Sequence, residues 1–248
     1  MVLYFVIFYP GFQIKDIIIS GNQKVTSKDI ESLVYENINN KILSVLGWTL
    51  SSKSIFLVNP DDLNKKILSK FPIIESAKID KKFPQTLSLQ INERIPAAIF
   101  CPSLDESVGE CYFTDGSGLI FESLSTIPQN MAIVRQTVND NKVFVGEKIV
   151  QQNIMDLLSK VETTLENDFK IDVKEVLVTS PLRINFKTTE NWQIYFDLGS
   201  DSDVNLQLVK LNLLLTGGIS QDSRENLRYI DLRPKDRAII CDNSTCGK

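Results

Sequence analysis

The chain has 248 residues, of which 43% are hydrophobic and 23% are charged. This length and composition are those of an ordinary globular protein of one or two domains. Its 31 acidic and 27 basic residues give a formal net charge of −4. The acidic balance argues against a general nucleic-acid binder, because such a protein needs a dense basic surface to displace counterions from phosphates. The sequence contains no histidine, which excludes Ser-His-Asp and Cys-His catalysis and every zinc site that uses histidine.

The N-terminal segment is strongly apolar. Its first nine residues are all apolar or aromatic, and Pro10-Gly11 then breaks the run. As a helix these residues span about 14 Å, roughly half of a ~30 Å hydrocarbon core. The basic start and the cleavage site of a signal peptide are missing. We interpret residues 1–11 as the outer end of a transmembrane helix and expect an in-frame upstream extension; the alternative is a buried first strand.

The next part of the chain predicts the order strand, helix, helix, strand, strand over residues 12–95. The second helix has a strong start, because Asn59 is a good N-cap and Pro60 suits the first helical position. The connection over residues 39–54 shows no clear pattern apart from an apolar patch that includes Trp48. The predicted elements are a strand over 12–20, a helix from Thr26-Ser27, a helix from Asn59 to Phe71-Pro72, and strands over 74–79 and 87–91.

From residue 97 onward the pattern changes to short strands, turns and two helices. The first helix carries an apolar stripe between Val150 and Leu165, and the second is capped by Ser202 or Asp203 and ends at Gly217-Gly218. The predicted strands cover residues 97–101, 111–114, 119–121, 173–178, 182–187, 192–198, 227–232 and 238–241. This predicts a mixed β domain over 96–241, with the two helices packed on a sheet, and a frayed tail over 242–248.

The four cysteines leave the redox compartment open. An even number fits paired cysteines in an oxidising compartment and free thiols in a reducing one equally well. Cys101 and Cys111 flank the loop 102–110 symmetrically, so a simple hairpin register places them opposite each other, about 4.5–5.5 Å apart. A disulfide can span that distance. The alternative is two small buried residues in a reduced protein.

Several short motifs occur in an order that resembles one known family. Each motif is weak alone, and together they resemble the extracytoplasmic part of the FtsQ/DivIB family of bacterial cell division proteins. The resemblance covers residues 12–241 and implies a POTRA domain over 12–95 followed by a β domain over 96–241. The motifs are Phe12-Gln13-Ile14 with Ile18–Asn22, Phe71–Ile79, Phe83–Leu87, Glu93–Ala98, Tyr112–Phe121, and Tyr229–Arg233 with Arg237-Ala238.

The family resemblance implies a scaffold protein rather than an enzyme, with no cofactor. It implies a single-pass protein of the cell (inner) membrane, mostly extracytoplasmic and at the division septum. Its partners would be coiled-coil division proteins of the FtsB/DivIC and FtsL types, other divisome proteins and the membrane, but not nucleic acid. Its role would be to help recruit and control septal peptidoglycan synthesis.

The resemblance also places the strand after Arg233 at the edge of a sheet, where the partner adds a strand. The residues expected to bind the partner are Arg233, Arg237, Ala238, Ile239 and Ile240. Asp231 and Arg233 are two residues apart and so share one face of a strand. For this pair, the alternative is an ordinary solvated sheet face.

Two other functions are considered. A POTRA-type chaperone module of an outer-membrane assembly system shares the first domain, but such modules usually occur in series ahead of a barrel. A Ser-Lys hydrolase needs no histidine, yet the sequence has no GxSxG motif, no SxxK motif and no glycine-rich phosphate loop. An active-site-directed serine probe would distinguish the hydrolase from a scaffold.

Overall fold

A computed structural model of the chain describes residues 6–45, 48–104, 110–138, 142–244 and 246. The chain divides into two compact units, Met1–Ile95 and Pro96–Lys248, and each unit has its own hydrophobic core. The predicted fold class is confirmed: an α+β protein with a β-α-α-β-β first domain and a mixed β second domain that carries helices on its sheet.

The first unit is built around a small sheet. Among the residues that the structure describes, β1, β5 and β4 form a three-stranded sheet in that order, with β1 parallel and β4 antiparallel to β5. Strands β2 and β3 form a separate antiparallel hairpin within the stretch that showed no clear sequence pattern. The elements are a 3-10 turn (Pro10–Phe12), β1 (Asp16–Ser20), α1 (Ser27–Ile38), β2 (Asn40–Val45), β3 (Trp48–Ser52), α2 (Pro60–Lys70), β4 (Ile74–Lys82) and β5 (Thr86–Glu93).

Helices α1 and α2 begin at the caps that the sequence predicts. The Thr26 hydroxyl accepts a hydrogen bond from the backbone N–H of Asp29 at 3.2 Å. The Asn59 side chain accepts from the N–H groups of Asp61 at 3.0 Å and Asp62 at 3.4 Å. These caps satisfy backbone donors that a helix start otherwise leaves unpaired. The apolar faces of the helices then cover one face of the sheet, and the buried residues include Ile30, Val34, Ile38, Leu63, Ile67, Leu87, Leu89 and Ile91.

The Glu93 carboxylate ties the end of β5 to the turn that leads into α1. It accepts hydrogen bonds from the backbone N–H groups of Gln23, Lys24 and Val25 at distances of 2.9–3.0 Å. Partial burial acts to raise the pKa of Glu93, but the three backbone donors and the Lys24 charge outweigh it and lower the pKa. The ionised form of Glu93 therefore stabilises this turn.

The second unit is organised by one large mixed sheet. In the described part of the chain it has nine strands in the order β14-β13-β12-β11-β10-β9-β6-β7-β8. The pairs β6/β9, β9/β10 and β12/β13 are parallel and the others are antiparallel. The strands are β6 (Ala98–Cys101), β7 (Cys111–Thr114), β8 (Ile120–Leu124), β9 (Ile133–Gln136), β10 (Val173–Ser180), β11 (Arg183–Thr188), β12 (Gln193–Asp197), β13 (Leu227–Asp231) and β14 (Ile239–Asp242).

Helices of the second unit pack on one face of this sheet. They are α3 (Gln152–Phe169), α4 (Val204–Gly217) and the short α5 (Gln221–Arg224). The predicted apolar stripe on α3 is buried, and Leu211 and Leu215 are buried on α4. These side chains meet large sheet residues such as Phe100, Phe186 and Phe196 in one core. Packing of this kind supplies most of the stability of an amphipathic helix.

The N-terminal apolar segment is described only in part. Residues 6–8 are helical, whereas residues 1–5 of the expected membrane segment lie outside the described residues. Within the described ranges, no helix has both the length and the apolar character needed to cross a bilayer. The interpretation of residues 1–11 as the outer end of a transmembrane helix stays a prediction.

We expect Glu93→Gln to destabilise the protein at pH 7 and to have less effect at pH 3. Because the pKa of Glu93 is lowered in the folded state, its stabilising contribution is present above the unfolded pKa and is lost as the pH falls through the folded pKa. The expected loss at pH 7 is on the order of 0.5 kcal/mol, since solvent screens this partly exposed carboxylate. Urea midpoints measured from pH 7 to pH 3 check this.

The matched control is Glu75→Gln, a change at an exposed carboxyl on β4 of the same sheet, which should leave the midpoint unchanged. A difference between wild type and E93Q that does not shrink towards acid pH would contradict the assignment.

Candidate functional site

Strand β14 lies at one edge of the large sheet. It pairs antiparallel with β13, with Ile239 opposite Asp231 and Ile240 opposite Ile230. No described strand pairs with its other side. Backbone N–H and C=O groups along such an edge form a template on which another chain can add a strand.

The structure brings the five sequence-predicted binding residues to one end of this edge. Arg233 follows β13, Arg237 and Ala238 precede β14, and Ile239 and Ile240 begin it. Ile239 is 41% exposed and Ile240 is 39% exposed, whereas Ala238 packs partly against the core. Arg237 is exposed. The edge therefore presents apolar side chains beside a cation, while its function in binding stays a prediction.

Arg233 is engaged within the chain. Its Nε donates to Asp231 Oδ1 at 2.8 Å, and a terminal guanidinium nitrogen donates to Oδ2 at 2.6 Å. Burial acts to raise the pKa of Asp231, but the hydrogen bonds and charge of Arg233 lower it overall. The sequence placed both residues on one strand face, yet β13 ends at Asp231. Since 35% of the Arg233 side chain remains exposed, only the outer part of its guanidinium is available to a partner.

Two tyrosines extend this pair into an aromatic platform on the sheet face opposite the helices. The rings of Tyr195 and Tyr229 stack with centroids 5.0 Å apart, and the Arg233 guanidinium lies 5.2 Å from the centre of the Tyr195 ring. Burial is the main cause that raises the pKa of Tyr195. Tyrosine and arginine are enriched at protein interfaces. The sequence analysis missed the platform, because period-2 alternation shows which residues share a face but not which strands are neighbours.

A lysine of α4 holds the loop between β13 and β14. Lys210 Nζ donates to the backbone oxygens of Pro234 at 2.6 Å, Arg237 at 3.3 Å and Leu232 at 3.5 Å. The sequence analysis also missed this residue, although it is the only charged residue in α4. A single charged residue in an otherwise uncharged helix is the sequence signal that could have identified Lys210. Lys210 fixes the path by which the chain enters the edge strand.

Cys101 and Cys111 are joined across the hairpin of β6 and β7, with Cα atoms 4.5 Å apart. Cys241 of β14 is joined to Cys246, with Cα atoms 5.4 Å apart, a pairing that the sequence analysis did not propose. The first bridge ties the neighbouring strands β6 and β7, and the second closes a short loop after the edge strand β14. Whether these pairs are oxidised in the cell stays a prediction.

A second candidate site is an acidic cavity of about 770 Å³ in the second unit. Glu162, Glu166 and Asp172 are among its lining residues. Burial, followed by the charges of Glu166 and Asp172, raises the pKa of Glu162 to about 7. In the described ranges, no cluster of three or more His, Cys, Asp or Glu residues could hold a metal ion. Lys174 and Thr189 also line the cavity, and the Glu162 side of its wall can take up a proton near neutral pH.

We expect Glu162→Gln to stabilise the protein at pH 8 and to have no effect at pH 5. Because the pKa of Glu162 is raised in the folded state, its protonated side chain stabilises the fold at low pH. This stabilisation is lost as the pH rises through about 7. The gain at pH 8 should be on the order of 1 kcal/mol after allowance for solvent screening. Urea unfolding at both pH values tests this, with Glu147→Gln as an exposed control; destabilisation by E162Q at pH 8 would refute it.

We expect Cys101 and Cys111 to be linked when the chain is produced in an oxidising compartment. Alkylation without reductant, followed by mass spectrometry, should recover one cross-linked peptide pair. Because Cys101 is buried in the folded chain, alkylation is done in denaturant, where Cys111→Ser should make Cys101 fully reactive. The same change should lower the free energy of unfolding by about 2–4 kcal/mol. Cys246→Ser, which opens the short terminal loop, is the control. Complete labelling of Cys101 in the unreduced wild type would rule the bridge out.

Comparison with known protein families identifies the first unit. Residues 12–94 match the family model described as POTRA domain, FtsQ-type. The matched range runs from the 3-10 turn past the end of β5, so it includes the small sheet, both helices and the β2–β3 hairpin. No curated protein matches the chain. The chain therefore carries an FtsQ-type POTRA domain, which supports its recognised resemblance to the FtsQ/DivIB family of cell division proteins.

Proposed function

We propose that the chain is an extracytoplasmic scaffold of the bacterial divisome. In this role it binds coiled-coil proteins of the FtsB/DivIC and FtsL types and helps to recruit and control septal peptidoglycan synthesis. The FtsQ-type POTRA domain supports a role in cell division. The β14 edge of the second unit supports binding by strand addition.

The observation that carries the proposal is the exposed apolar edge of β14. Natural edge strands are usually protected by charges, prolines, bulges or a covering element. Strand β14 instead exposes Ile239 and Ile240. An added strand would pair with the backbone of β14 and bury these two side chains, which relieves the aggregation risk of the edge.

The charges around the edge indicate an acidic partner segment. Lys235 and Arg237 are exposed in the loop that leads into β14, and Arg233 presents part of its guanidinium beside the Tyr195 ring. Cations at the rim of an interface accelerate association with a segment rich in carboxylates and favour the correct partner. We therefore assign affinity mainly to the backbone of β14, and partner choice and association rate to this basic rim.

The proposed location is the cell membrane at the division septum, with one N-terminal anchor and the bulk of the chain outside the cytoplasm. The apolar run over residues 1–9 supports the anchor. The paired cysteines fit an oxidising extracytoplasmic compartment. The proposal assigns the chain no catalytic step and no cofactor. A POTRA-type chaperone module is less well supported, because a single large mixed sheet follows the POTRA domain in place of further POTRA units.

Titration of the whole chain with the partner's extracytoplasmic segment tests the site. Ile239→Pro removes a backbone donor and bends the edge, so it should weaken binding by at least about tenfold. Ile239→Ala leaves the backbone intact and should change binding by less than about threefold. Arg237→Glu should slow association, with an effect that decreases at high salt.

The matched control is Ser123→Pro, a proline in β8 at the opposite edge of the same sheet. It should leave partner binding unchanged in a variant shown to be folded by circular dichroism. If a folded chain truncated after Leu232 binds at full strength, the β14 site is wrong. The site would then be sought in the POTRA domain or along the strand that follows Trp192.

A further inference from the structure

Aromatic side chains from three separate segments of the POTRA unit form a continuous exposed cluster. The ring centroids of Tyr9 and Phe12 are 5.5 Å apart, those of Phe12 and Phe56 are 5.1 Å apart, and those of Phe56 and Phe83 are 5.2 Å apart. We call these four residues the aromatic collar. Tyr9, Phe56 and Phe83 are exposed, and Phe83 is the most exposed of them at 58%.

The fold of the POTRA unit does not explain the aromatic collar. None of its four residues belongs to the hydrophobic core of this unit. The surfaces of soluble proteins rarely present contiguous apolar patches without a function. Burial of each ring away from water would lower the free energy. Phe83 lies in the turn between β4 and β5, a position where small and polar residues are more usual. The exposed rings of Phe56 and Phe83 therefore point to an interaction surface.

The aromatic collar adjoins the N-terminal apolar run over residues 1–9. Tyr9, the last residue of that run, is itself a member of the collar. Just before it, the carbonyl of Ile7 accepts hydrogen bonds from Ser52 Oγ at 2.6 Å and Gln13 Nε2 at 2.7 Å, and the carbonyl of Val6 accepts one from Ser54 Oγ at 2.9 Å. These bonds satisfy carbonyls that a helix end leaves unpaired. They also fasten the apolar segment to the stretch that carries the collar.

We propose that the aromatic collar lies in the interfacial layer of a phospholipid bilayer, so that the POTRA unit rests on the membrane surface. Aromatic rings favour this layer, where one side is apolar and the other is wet. Exposed Lys82, next to Phe83, lies where it can reach anionic head groups. The inference rests on the proposed membrane anchoring by residues 1–11 and adds a second contact to it.

A bilayer suits the aromatic collar better than a protein occupant does. Four rings offer a few hundred Å² of apolar surface, against roughly 800 Å² per partner in a stable protein interface. A membrane contact has no such lower limit, because the anchor already holds the collar beside the bilayer at a high effective concentration. The direct continuity between the apolar segment and the collar also points to the bilayer.

Depth-dependent quenching tests the membrane contact. The whole chain is reconstituted into vesicles of phosphatidylcholine and phosphatidylglycerol, with or without lipids brominated high on the acyl chains. The variant F83W places an indole in the collar, and F144W is the matched control, because Phe144 is 62% exposed in the second unit. We expect bromination to reduce the added emission of F83W at least roughly twofold more than that of F144W. F56W should behave like F83W.

The same samples separate the membrane contact from the proposed anchoring. Flotation with vesicles tests the anchor, and a chain that does not float overturns both the anchor and the collar contact. A chain that floats, with F83W and F56W quenched no more than F144W, overturns the collar contact alone. If acrylamide fails to reach the indole of F83W while brominated lipid leaves its emission unchanged, a protein surface covers the collar and the proposal is wrong.

Discussion

The Lys210 ammonium group determines where the edge strand of the second unit can lie. The loop from β13 to β14 contains Pro234, which has no backbone N–H. The loop therefore has one donor fewer to pair with its own carbonyl groups. Lys210 donates to three of these carbonyls from a helix packed on the core. Hydrogen bonds to a charged donor are stronger than neutral ones, and their removal leaves the acceptors unpaired. The approach to β14 is thus tied to helix α4.

A second set of contacts fixes the same turn from the opposite face of the sheet. Asp231 and Arg233 form a two-pronged ion pair, and the guanidinium lies over the Tyr195 ring. With Lys210 on the helix side and this pair on the open side, the turn is held from both directions. An edge strand that is already ordered loses less conformational entropy when it binds another chain. This organisation suits a surface that recognises a partner through backbone hydrogen bonds.

Local signals predicted the elements that depend on local chemistry. The Asn59 cap and the apolar stripe of α3 both appear in the structure, because capping and helical periodicity depend on near neighbours in sequence. Strand β9 was missed, since its four residues are held by parallel partners distant in sequence. For the site, the residue pattern indicated a strand over 238–241 and the family resemblance implied its place at the edge. The bonds of Lys210 and the stacking of Tyr195 on Tyr229 follow from tertiary packing, which spacing alone does not reveal.

The pairing of β14 with β13 has a mechanical consequence for the proposed partner contact. A strand added at this edge would join the sheet through one short antiparallel ladder. A pull along the strand direction strains all hydrogen bonds of that ladder together, whereas a pull across it opens them one after another. The direction of tension therefore decides whether the joint resists or unzips. Under lengthwise tension, part of the force passes through the loop into helix α4, because Lys210 connects the two.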